Sequence, residues 1–236
     1  MINKIPADNR HHQDLGWLRT HWLFSFGKYF DPENVQFGNL RVFNDDFIRP
    51  HTGFKPHAHS EMEIVTIVLE GELTHEDSMG NNITIGPGEV QRMSAGTGIR
   101  HSEKNDGDEW LNLYQIWFFP DEEGLTPSYD QKQFQLTGNS QSLTALVTPE
   151  GADGSVSIHA DASIHRGRLG NGETLEYPVE HNRGVFIYLT EGALRINNTD
   201  FRQNDQARIS EEDSLQLQAT ESVSFVLIDV ANPAAE

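Results

Sequence analysis

The segment Gly53-Phe54-Lys55-Pro56-His57-Ala58-His59-Ser60-Glu61-Met62-Glu63 sets two imidazoles and two carboxylates at alternate positions. On a β-strand, residues i and i+2 point to the same face. His57 and His59 can therefore offer two nitrogen ligands to one point from a single strand. Glu61 and Glu63 share that parity and are further candidates. So polar a face, leading straight into the apolar run 64–69, is unusual for a core strand, because buried polar groups need partners and a metal ion is one. Downstream, the Gly-rich stretch 86–103 ends in a second pair of the same kind, His101 and Glu103. A neighbouring antiparallel strand that brought this pair opposite the first would assemble three neutral imidazoles and a carboxylate. Nitrogen and oxygen donors without sulfur suit one divalent first-row ion, Fe(II), Mn, Ni, Co, Cu or Zn. If the ion is octahedral, four protein ligands leave two positions open, and open positions separate catalytic sites from structural ones. The residues leave open whether Glu103 or Glu63 is the carboxylate ligand; Glu63 could instead fix an imidazole tautomer from behind.

A lone His-x-His means little, and among 11 histidines chance pairs are expected. The His11-His12 pair reads as part of a solvated tail, and Glu61 as a solvated or supporting residue. What points to a metal is the combination of two same-face pairs, each beside glycine-rich turns. The cavity walls are expected to come from Phe54, Met93 and the run 111–119.

The elements that must position these groups are strands. Runs rich in Val, Ile, Leu and aromatics occupy 40–43, 63–69, 111–119, 184–190 and 222–230. Between them lie turn signals such as Glu70-Gly71, Gly86-Pro87-Gly88, Glu191-Gly192 and Asn197-Asn198. No long stretch has a helical period, so the expected class is all-β, a sandwich, jelly roll or barrel. The run 64–73 is echoed by 185–194, pairing Gly71 with Gly192, and Gln91-Arg92-Met93-Ser94 is echoed by Ala207-Arg208-Ile209-Ser210. Two matches in the same order indicate a duplicated unit. We expect one domain over 1–130 and a second over 131–236. In the second copy His57, His59, His101 and Glu103 align with Pro178, Glu180, Leu217 and Ala219, and His181 falls one residue out of register. The second unit is therefore expected to be metal-free.

Bulk properties exclude other functions. With 36 acidic against 17 Lys and Arg residues, the net charge of −19 repels nucleic-acid phosphates and anionic membranes. The absence of cysteine removes disulfides, thiolate ligands and a thiol nucleophile. The first residues lack the apolar stretch of a signal peptide, and no run reaches the roughly 20 apolar residues of a membrane helix. A cytoplasmic protein is expected.

Across residues 12 to about 130 the chain resembles the pirin family of bicupins, particularly its bacterial quercetin dioxygenases. The likeness rests on Gly16-Trp17-Leu18, Tyr29-Phe30-Asp31-Pro32, Asn44-Asp45-Asp46, Pro56-His57-Ala58-His59, His75-Glu76-Asp77-Ser78, Met93 to Glu103 and Leu113-Tyr114-Gln115-Ile116-Trp117. It implies two cupin-type (jelly-roll) β-barrels in tandem, with one divalent metal, most often iron, in the first barrel alone. The family's ligands fall on His57, His59, His101 and Glu103, which favours Glu103 over Glu63. It also implies ring-opening dioxygenation of quercetin or a related enolic aromatic, for which Glu103 could double as the base that takes the substrate hydroxyl proton. The alternative is a non-enzymatic, metal- or redox-responsive regulator that binds a protein partner. A metal-dependent sugar isomerase fits less well, since basic residues near the motifs are few.

Overall fold

The computed structural model describes residues 1–134 and 141–231, and the regular structure there is almost wholly β-strand. Its first half forms a seven-stranded sheet in the order Ser128–Gln133, Glu89–Ser94, Glu63–Glu70, Leu111–Phe118, Leu40–Ile48, Leu18–Trp22 and His11–Asp14. A four-stranded sheet, ordered Thr52–His59, Ile99–Asn105, Leu73–Asp77 and Asn82–Ile85, completes the barrel. The second half repeats the plan. Its four-stranded sheet runs Thr174–Pro178, Ser214–Ala219, Ala193–Ile196 and Thr199–Arg202, and its larger sheet is centred on Arg183–Glu191 and Val223–Ala231. The expected all-β pair of barrels is what the chain forms, and the five apolar runs all become strands. No described helix is long and apolar enough to cross a membrane.

The central strands are apolar on both faces because both faces are buried. Along Leu111–Phe118, Leu111 and Leu113 pack inside the first barrel while Tyr114, Ile116 and Phe118 face the second. Along Arg183–Glu191, Val185, Ile187 and Leu189 fill the second barrel while Phe186 and Tyr188 meet the first. The Phe43 ring lies 5.5 Å from Phe186 and 5.2 Å from Tyr188, so the two large sheets share one apolar core between the barrels.

Strand pairing crosses the expected division at its ends. Ser128–Gln133 pairs with Glu89–Ser94, so the first sheet runs three residues past 130. Ile2–Ile5 pairs with Gln206–Ile209 and adds an edge strand to the second barrel from the far end of the chain. The expected solvated tail at His11-His12 is instead a strand. It pairs with Leu18–Trp22 through a turn in which Asp14 accepts the Gly16 N–H at 2.8 Å. The His11 ring stacks on Tyr29 at 4.1 Å, apolar contact that a sequence pattern of His-His-Gln-Asp does not announce.

The duplication is visible in the pairing. Glu63–Glu70 lies between Glu89–Ser94 and Leu111–Phe118, and Arg183–Glu191 lies between Gln206–Ile209 and Val223–Ala231. Gly71 and Gly192 leave these strands with φ of +76° and +73°, where a side chain is strained. A Cβ on Gly192 would also overlap the Ser222 carbonyl oxygen, whereas Gly172, at φ +81°, has open space around it. Gly172→Ala is therefore expected to cost about 1 kcal/mol, the backbone strain alone, and Gly192→Ala about 3 kcal/mol. Differential scanning calorimetry should show the larger fall in thermal midpoint for Gly192→Ala; equal falls would mean that the Ser222 carbonyl moves aside freely.

Candidate metal centre

The strands Thr52–His59 and Ile99–Asn105 are hydrogen-bonded neighbours, with His57 directly opposite His101 and His59 opposite Ile99. Register shifts between His101 and Glu103, so that Glu103 lies opposite Phe54. The extra residue is on the first strand, at Lys55-Pro56, and a proline without an N–H suits such a bulge. The bulge turns Phe54, His57 and His59 all toward one cavity, although strict alternation would have sent Phe54 the other way. Gly53 permits the close approach: a Cβ there would come within 2.6 Å of Lys104 Cα and would overlap the Glu103 carbonyl.

The ring centroids of His57, His59 and His101 are 4.4–5.0 Å apart. The three residues offer ligand nitrogens that all lie within 4.8 Å of one another. His57 Nδ1–H donates to the Lys55 carbonyl at 2.8 Å, which leaves Nε2 as its free lone pair. His59 Nε2 and both nitrogens of His101 are buried without a partner. Burial, reinforced by the neighbouring imidazoles, lowers His59 to about 4 and His101 to about 3. Both are therefore neutral near pH 7, the form that binds a metal. Unpartnered buried nitrogens converging on one point fit an ion, because without one each would carry an uncompensated desolvation cost.

Glu103 is buried and joins His101 and His75 in a second, overlapping set whose ligand atoms also lie within 4.8 Å of one another. Gln115 Nε2 donates to both of its oxygens, at 3.3 and 3.0 Å. The Gln115 carbonyl oxygen in turn accepts from Thr66 Oγ1 at 3.3 Å and Trp117 Nε1 at 3.4 Å. Gln91 Nε2 donates to Thr66 Oγ1 at 3.4 Å. A row of buried amides and a hydroxyl thus fixes the carboxylate from behind.

Sequence reasoning missed this row, and it missed His75. That histidine is fully buried, with Nε2–H donating to Asp77 Oδ2 at 3.2 Å and Nδ1 unpartnered. Burial alone would raise the Asp77 carboxyl, but hydrogen bonds from Asn81, His75 and the backbone of Met79 hold it below the usual range. The signal was present, since His75 and Asp77 are another i, i+2 pair directly after the Gly71 turn. Glu103 and His101 lie opposite them in the ladder.

Glu61 and Glu63 do not join the cluster. Glu61 has φ +49° in the bend before Glu63–Glu70, which breaks the alternation carried forward from His59. Its carboxylate accepts the Gly124 N–H at 3.1 Å. Glu63 consequently faces the opposite way, accepting from Ser94 Oγ at 3.0 Å and from the His159 backbone of the second barrel at 3.2 Å. Ile64, one residue on, takes the place at the cavity. Met93 is likewise displaced, packing under Ile64 with Ala95 and Ile99.

His57, His59, His101 and Glu103 all line one cavity of about 830 Å³. Its other walls are largely apolar, with Trp17, Trp22, Phe26, Phe54, Ile64 and Trp117. Trp117 meets the His59 ring edge-on at 4.8 Å. In the second barrel the matching ladder sets Leu175 opposite Leu217, and both pack into its core. If Leu217 is the counterpart of His101, the counterpart of His57 is Leu175, not the Pro178 that simple alignment gave.

Comparison with known proteins agrees with this architecture. The pirin family model matches residues 6–118, and that of the quercetinase C-terminal cupin domain matches residues 145–230. A quercetin 2,3-dioxygenase of Escherichia coli (strain K12) is 40% identical over 231 residues, covering 98% of this chain and 99% of its own. A pirin-like protein of Caulobacter vibrioides is 38% identical over 232 residues, covering 98% of this chain and 100% of its own. The crystal structure of the bacterial pirin YhhW from E. coli in complex with nickel(II) superposes with a TM-score of 0.93 at 39% identity, covering 98% of this chain and 100% of that one. With its two tandem cupin barrels and relatives matching over nearly their full length, the chain belongs to the pirin family.

Proposed function

We propose that the first barrel holds one divalent metal ion through His57, His59, His101 and Glu103, and opens the ring of quercetin or a related enolic aromatic with dioxygen. The observation that carries this reading is the clustering of three imidazoles, two of them with buried unpartnered nitrogens, beside a buried carboxylate at the wall of a large aromatic cavity. Sites for drug-sized ligands run to about 300–1,000 Å³ and are mainly apolar with a few convergent polar groups. A planar flavonol matches that description. The nitrogen and oxygen donors suit Fe(II), and they accept Ni(II), the ion in the E. coli relative.

When bound, the ion supplies Lewis acidity that lowers the pKa of a coordinated enolic hydroxyl. The chain's own groups do the rest. Trp17, Phe54 and Trp117 wall the cavity with ring faces and edges that hold a planar substrate and exclude water. Glu103 is the carboxylate positioned to take the hydroxyl proton, and Gln115 prevents it from turning away. The Lys55 carbonyl fixes the His57 tautomer, so that Nε2 stays available.

The deciding experiment pairs metal analysis of the purified protein with oxygen uptake on quercetin. A bound divalent ion, uptake that stops under anaerobic conditions and release of carbon monoxide are expected; quercetin left intact in the metal-loaded protein would refute the reading. His101→Ala should reduce bound metal to near zero by mass spectrometry, since it removes a nitrogen common to both overlapping sets. Glu103→Gln should keep much of the metal yet reduce turnover at least about 100-fold. Unchanged turnover in Glu103→Gln would rule out the proton-accepting role and leave Glu103 a ligand only.

A further inference from the structure

The strand Leu40–Ile48 carries three polar residues in a row, Asn44, Asp45 and Asp46, and all three are buried. Alternation divides them between two faces. Asp45 points between the barrels and is fully partnered: Asn112 Nδ2 and Tyr188 OH each donate to it at 3.1 Å, and the Arg10 guanidinium is 3.7 Å away. Asn44 and Asp46 point the other way, into the cavity of the metal centre. Each is only 2% exposed, and each has an oxygen, Oδ1 in both cases, outside hydrogen-bond reach of any donor, although the Thr20 hydroxyl opposite Asp46 in the ladder acts on its carboxyl.

Two buried acceptors left open at the cavity floor are costly unless something donates to them. They lie on the same sheet as the groups that hold Glu103, with Asn44 directly opposite Gln115 and Asp46 opposite Leu113. On their other side lie Trp22 and Thr20. A molecule held at the histidine cluster and Glu103 shares its cavity with these two residues.

We infer that Asn44 and Asp46 form a second polar subsite of the cavity, beside Glu103, which accepts hydrogen bonds from hydroxyl groups of a polyhydroxylated aromatic substrate other than the hydroxyl that reacts. This rests on the flavonol reading of the same cavity and adds to it the basis for preferring hydroxylated substrates. Neutral hydroxyls suit the subsite, since both open groups are acceptors and one of them is an uncharged amide oxygen. A site built to bind hydroxyls also discriminates strongly against analogues that lack them, because its own polar groups are then left unpaired.

The test is an anaerobic titration of the metal-loaded, full-length protein with two probes, followed by quenching of the cavity tryptophans. Quercetin carries hydroxyls on both outer rings, and 3-hydroxyflavone keeps the enolic ring without them. Wild-type protein is expected to bind quercetin at least about tenfold more tightly. Asn44→Leu and Asp46→Leu, which change volume little, should reduce that preference to about threefold or less while 3-hydroxyflavone binds within about twofold of wild type. A wild-type protein without the preference, or one binding neither probe, would overturn the subsite and needs no variant to fold. Variants that keep the preference, or that lose both ligands equally, would also overturn it. Oxygen uptake separates this inference from the reading beneath it. Preference for quercetin without uptake refutes the dioxygenase and leaves the subsite; uptake with equal affinities does the reverse.

Discussion

One antiparallel ladder, between Thr52–His59 and Ile99–Asn105, sets the position of every proposed metal ligand. Each strand contributes an alternating pair, and the register decides whether the pairs meet. A slip of one residue would turn His101 and Glu103 outward and leave two imidazoles facing nothing. The register is pinned by a local device, the bulge at Lys55-Pro56, and by Gly53, whose missing side chain lets the Glu103 carbonyl come close. The neighbouring strand Leu73–Asp77 pairs along the other edge of Ile99–Asn105 and holds it in place from behind.

The same sheet plan serves opposite ends in the two barrels. The second fills its interior with one apolar cluster, including Val185, Ile187, Leu194, Leu217 and Phe225. The first splits its interior into two smaller apolar clusters, one around Val68, Leu111 and Leu113, the other around Ile64, Met93 and Ile99. Between them lie the polar groups and the cavity. Such an interior gives up hydrophobic stabilisation, which scales with apolar area buried. The apolar layer between the barrels offsets part of that loss: Phe43, Tyr114 and Ile116 pack against Phe186, Tyr188 and Ile228. The strand Ile2–Ile5, paired to the second barrel, ties the start of the chain across the same junction.

Much of this was legible in the sequence because it follows from a period of two. The all-β class, the duplication and the pairing of His57 and His59 with His101 and Glu103 all come from alternation and repeated turns. Alternation fails where the backbone leaves the strand. Glu61, at positive φ, resets the parity, so that Glu63 turned away and Ile64 turned in. The bulge brought Phe54 to the cavity by the same kind of shift. His75 and Gln115 were missed for a different reason. Gln115 is an ordinary residue in an apolar strand, and His75 one of several polar residues in a short polar strand, until their cross-strand neighbours are known, which a single sequence does not state. The edge strand at His11 belongs here too, since its burial comes from Tyr29 and Trp22, which approach it from elsewhere in the fold.

The interior row Gln91, Thr66, Gln115 and Glu103 shows why a polar interior can remain ordered here. Gln115 donates to both carboxylate oxygens, and its own carbonyl is occupied by Thr66 and Trp117. A glutamine free to flip its amide would present oxygen to Glu103 in half of its orientations and repel it. With its carbonyl engaged by two donors, only one orientation satisfies every partner. The carboxylate is thereby held in place before any ligand arrives, and its reorganisation cost is met by folding. Asn44 and Asp46, on the adjacent strand, have no such set of partners for their cavity-facing oxygens. Glu103 is thus presented to the cavity in one orientation, while the Asn44 and Asp46 oxygens beside it are left open to whatever fills that space.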